Sequence, residues 1–142
     1  MLQFIDRIKA NRLFVFLYWA TKISLGLGFV LSGIRKLPGV KFTAIGTDNP
    51  IGLFFEGMYQ TGFYWNFIGY YQIAIGFLLI TPWLKKLSPI LAFPVTFNIF
   101  LVSASLHMRG TPVITSAMVL GNLFLMLWHS RSYLPLFQKS TP

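Results

Sequence analysis

The chemistry open to this chain rests on a few polar side chains set in apolar surroundings, and Lys22 comes first. It lies within Leu13–Leu37, LFVFLYWATKISLGLGFVLSGIRKL, bracketed by Arg12 and by Arg35-Lys36. A helix needs about 20 mostly apolar residues to cross a bilayer, and this run supplies them. An ammonium near the middle of such a span costs roughly 2.5–3.5 kcal/mol, so it faces a partner, a cavity or water. Two readings stand together: Lys22 belongs to a functional site, or it snorkels toward an interface marked by Tyr18-Trp19. Gln72 is its natural counterpart. With Gly69 and Gly76 it falls at i, i+3 and i+7 of a later apolar run, one helical stripe. Lys22, Gly26 and Gly33 form a matching surface, with Gly28 and Ser32 at small-xxx-small spacing. Small residues let backbones approach, and an amide among them bonds across helices. Both polar residues lie near the centre of their runs. We therefore expect Gln72 Oε1 to accept from the Lys22 ammonium, as helix glue or as the polar end of a ligand site.

Further along come Asn98, Ser103, Ser105 and His107, then Arg109, then Thr115, Ser116 and Asn122. An unpaired amide in lipid is costly, so Asn98 and Asn122 are expected to satisfy each other or a neighbouring backbone. The two histidines do not make a metal or haem site. His107 and His129 end successive antiparallel runs and stand 22 residues apart in sequence, or about 30 Å along a helix. With no cysteine and no acidic cluster, nothing completes a metal set. His107 beside Arg109 suits proton exchange, anion contact or a solvated helix end. Glu56 is the one acidic residue near an expected cavity, and no G-x-S-x-G, H-E-x-x-H or Walker A motif is present.

The elements that must position these groups follow from composition. Hydrophobic residues make up 55% and charged residues 11%, far below the ~25% charged content of a typical soluble domain. We expect a single domain over 1–142: an all-α, integral membrane four-helix bundle with spans at about 13–37, 63–81, 87–107 and 112–128. The net charge of +9 comes mostly from residues that flank these runs, so it speaks of topology and anionic lipid, not nucleic acid. Seven Lys/Arg on the side of both termini against four on the other put the termini in the cytoplasm. Residues 1–12 are expected to be retained as an interfacial helix, since no cleavage signal follows them. The external loop 38–62 carries five glycines and two prolines, yet also Ile51, Leu53, Phe54, Phe55 and Met58. It reads as a turn at Asp48-Asn49-Pro50 followed by a short apolar helix over the bundle mouth, acting as a lid or an interfacial plug.

The ordered series Lys22-Ile-Ser-Leu-Gly26-Leu-Gly-Phe29, Ser32-Gly33-Ile-Arg-Lys36-Leu37 and Gly69-Tyr-Tyr-Gln72-Ile-Ala-Ile-Gly76 resembles the DoxX-like family of small four-helix membrane proteins. Pro94-Val-Thr-Phe-Asn98-Ile and the tail from Asn122 to Phe137 extend the likeness over nearly the whole chain from about residue 13. Typical members carry Arg where this chain has Lys22 and Glu where it has Gln72, so a buried carboxylate is absent here. The resemblance implies a bacterial inner-membrane bundle associated with a respiratory or redox complex, with a core that holds a lipophilic ligand such as quinone. Lys22, Gln72 and Asn98 would then donate to a carbonyl oxygen, with Trp19, Phe29, Tyr70 and Tyr71 as ring contacts. The chain has no redox cofactor site of its own, so a partner protein would supply electrons. The other reading is a non-enzymatic bundle, an assembly factor or a small-solute carrier.

Overall fold

The structure, a computed structural model, describes residues 8–137. The interfacial segment expected over residues 1–12 lies outside the described residues as far as Arg7. Six helices follow it in order: α1 (Arg12–Ile34), α2 (Pro50–Gln60), α3 (Phe63–Ile80), α4 (Ser88–Ser105), α5 (Thr111–Trp128) and α6 (Ser130–Phe137). Of these, α1, α3, α4 and α5 are long and apolar enough to cross a membrane, as the hydropathy of the four runs predicts. Their large apolar side chains face outward in number, Phe16, Leu31, Phe63 and Leu120 among them, as lipid contact demands.

Local chemistry sets the helix ends. The Asn11 side chain accepts from Leu13 N at 2.9 Å and starts α1. Thr81 is extended ahead of Pro82, which cannot continue a helix, so α3 stops there. His107 and Gly110, both at positive φ, turn the chain from α4 into α5. Asn49 accepts from Ile51 N at 2.9 Å with Pro50 in the first turn, so the short helix in the long loop begins where the sequence predicts.

The bundle is seamed by glycine. A Cβ on Gly26 would sit 2.9 Å from Gly76 O, and one on Gly33 would sit 2.6 Å from Gly69 O. These two close approaches clamp α1 against α3 in antiparallel fashion. Gly28 has open space around its Cβ position and takes no part. Tyr18, Leu25 and Phe29 from α1 meet Ile75 and Leu79 from α3, Ala92 from α4 and Leu125 from α5 in the shared core. At the end of the bundle opposite Asn11, α2 folds back over it. Its Phe55 stacks on Phe42 at 4.4 Å between ring centroids and meets Trp65 edge-on at 6.1 Å. Gly52 lies under the carbonyls of Ile45 and Gly46, where a Cβ would come within 2.5 Å of Ile45 O.

Candidate functional site

The glycine seam fixes the depth of every polar group on α1 and α3. With Gly26 opposite Gly76 and Gly33 opposite Gly69, Lys22 falls level with the end of α3 and Gln72 with Val30. That separates the two by eight residues along α1, roughly 12 Å. The expected Lys22–Gln72 hydrogen bond is therefore not made. Lys22 is 2% exposed, and its Nζ donates to Thr81 O at 3.0 Å while lying 5.0 Å from the Trp19 ring centroid. Thr81 is the C-cap of α3, so the ammonium meets the negative end of that helix. Its surroundings account for it as a cap.

A second lysine occupies the place where a site exists. Lys36 follows α1 by two residues and continues the buried stripe of Lys22, Gly26, Phe29 and Gly33. It is 5% exposed. Its Nζ donates to Ser32 O at 3.0 Å and to Ser32 Oγ at 2.7 Å. The Phe42 and Trp65 rings lie 4.7 and 5.2 Å from the ammonium and attract it through their faces. Ser32 Oγ in turn points to Gln72 Oε1 at a long 3.5 Å. Burial pulls the Lys36 ammonium down to about 8, still charged for the most part at neutral pH.

Beside this chain of donors lies a cavity of about 320 Å³. Ser32, Lys36 and Gln72 line it from α1, its following turn and α3, and Asn98 from α4. Phe42, Phe54, Phe55 and Met58 form its outer wall, while Pro94, Ile99 and Val102 form the wall toward α4. Pro94 has no N–H, so α4 gives up one backbone bond at this level. Tyr64, Pro94 and Asn98 are exposed as well as lining, so the cavity opens sideways between α3 and α4. Two buried donors beside it have no partner among the described residues: Gln72 Nε2 and Trp65 Nε1.

The other candidates are placed elsewhere. Tyr71 does not line the cavity; its hydroxyl donates to Leu91 O at 3.3 Å and ties α3 to α4. Asn122 Nδ2 donates to Pro89 O at 3.1 Å, a backbone partner of the expected kind. Asn98 does not bond to it and has no side-chain hydrogen bond among the described residues. Glu56 is half-buried on α2, where Gln60 Nε2 at 2.7 Å and Lys41 Nζ at 3.2 Å hold its carboxyl below the usual range. His107 and Arg109 are exposed at the α4–α5 turn. His129 sits at the opposite end, its Nε2 3.0 Å from Tyr18 Oη.

The sequence reading missed Lys36, Ser32 and Trp65 as site residues. The signal was present: Lys36 stands three residues beyond Gly33 on the buried stripe and four beyond Ser32. No family model matches the chain, and no curated protein or solved structure matches it.

Proposed function

We propose that the protein is a DoxX-like membrane bundle that holds a lipophilic small molecule in the cavity beside Lys36 and Gln72. The cavity with its unpartnered donors carries this reading. An occupant that brings acceptor oxygens fills the space and offers them to a polar lining that includes Lys36, Gln72 and Trp65. A quinone is the occupant that the resemblance implies, with electrons supplied by a redox partner in a bacterial inner membrane. The cavity lining holds no His, Cys, Asp or Glu.

The test is native mass spectrometry with lipid and quinone extraction, on protein purified in mild detergent. Wild type is expected to carry one stoichiometric small molecule, and Ile68→Trp, which fills the cavity from α3, to lose it. A wild type with no bound molecule in either detergent or native-membrane discs would sink the ligand reading and leave the bundle as an assembly element.

A further inference from the structure

Resting on the reading of the cavity as a ligand site, we infer that its occupant is a single-tailed amphiphile with one negative charge, a fatty carboxylate, whose head is held by Lys36. The argument starts from charge. Lys36 is buried, and among the described residues no carboxylate meets it. Glu56 is paired with Lys41 on the outside of α2, and Asp48 is exposed at the turn beside Gly46. The end of α1 meets the ammonium at Ser32 O, but a helix terminus carries only about half a charge and offsets it in part. In an antiparallel bundle two helices start and two end at this level, so their terminal partial charges oppose one another. A net positive charge with no carboxylate partner among the described residues is left beside an apolar chamber.

The remaining polar groups point to the same head. Gln72 Nε2 and Trp65 Nε1 are donors without acceptors, and Ser32 Oγ already accepts from Lys36. A carboxylate accepts only, so its two oxygens can take the Lys36 ammonium and one neighbouring donor. One cation suits one negative charge. The chamber also limits the tail. Its lining runs from Pro94 to Ser103 along α4, nine residues or roughly 14 Å. This accommodates a head and the first part of one chain, the rest leaving past Tyr64 and Asn98 into lipid. The volume holds one acyl segment beside the head, which favours a single tail.

Selectivity in such a site must lie in the head. Lipid tails are as apolar as the cavity wall, so moving a chain from bilayer to cavity gives little preference. A carboxylate differs from its own methyl ester only by the charge, which makes the ester the decisive control.

The experiment measures saturable binding of radiolabelled oleate to the purified full chain, with competition by methyl oleate, a short-tailed ubiquinone and phosphatidylglycerol. We expect one oleate per chain, with methyl oleate and the neutral quinone at least tenfold weaker. Lys36→Met is expected to lose oleate at least tenfold and Lys36→Arg to retain it within about threefold. If Lys36→Met does not fold, the oleate and ester comparison on wild type decides alone. Equal binding of ester, quinone and oleate would overturn the anionic head while leaving a lipophilic ligand site. Preferential binding of phosphatidylglycerol would overturn the single-tailed carboxylate. Failure of every probe to bind, with Ile68→Trp unchanged in its extracted lipids, would overturn both readings.

Discussion

At the scale of single residues, two buried lysines on one stripe meet different fates because their neighbours differ. Both meet a helix-end carbonyl, Lys22 that of Thr81 and Lys36 that of Ser32, but only Lys36 also borders a cavity. A hydrogen bond from a charged group contributes about 1.5–3 kcal/mol, close to the cost of holding an ammonium in the membrane. Removing both at once should nearly cancel. Lys22→Met is thus expected to shift stability by less than about 1 kcal/mol and to leave the cavity ligand in place, as read by thermal unfolding and bound mass. His129 yields a pH prediction. Its burial, then the charges of Lys9, Lys85, Lys22 and Lys86, pull its imidazole down to about 4. Tyr18 Oη faces its ring nitrogen and Trp128 stacks on Tyr18. The folded protein therefore stays neutral at this position while the unfolded chain takes up a proton below about 6.5. Stability contributed here is complete above that value and falls as pH drops toward 4. His129→Gln is expected to flatten that part of the unfolding profile; an unchanged slope would mean that the ring is already charged when folded.

At the scale of elements, the five helical runs from Arg12 to Trp128 were legible because lipid demands long apolar stretches and because Asn49-Pro50 is a helix start. The glycine stripes were legible too, since spacing alone puts Gly26 and Gly33 on one face and Gly69 and Gly76 on another. Depth was not. Lys22 and Gln72 are central in their own helices, but α1 has 23 residues and α3 has 18. Only the contact of the two seams shows that the surplus lies toward the start of α1. Burial of Lys36 was also hidden, since it depends on Phe42 and Phe55 folding back from a loop that local sequence leaves open. The seam makes a direct prediction. Gly33→Ala and Gly69→Ala force a methyl against backbone and should destabilise by roughly 1–3 kcal/mol. Gly28→Ala, with nothing near its Cβ position, should not. Thermal unfolding of the three variants in one detergent checks the contrast.

For the whole molecule, the even number of candidate spans puts the start of α1 and the end of α5 at one end of the bundle. The α3–α4 turn with Lys85 and Lys86 shares that end, and α2 covers the other. The excess of Lys/Arg around the termini favours the cytoplasm for them. A reporter fused after residue 142 is expected to show cytoplasmic activity only, and external activity would invert the orientation and put the cavity mouth on the inner leaflet. The order in which this fold assembles follows from one bond already described. Lys22 and the carbonyl of Thr81 are 59 residues apart in the chain. At about 5–20 residues per second, a ribosome needs roughly 3–12 s to make that stretch. Through that interval α1 is in the membrane with its charge uncapped, and the ammonium stays among headgroups and water. The start of the first span is thus expected to stay loosely held until the third helix arrives and its last carbonyl takes the charge.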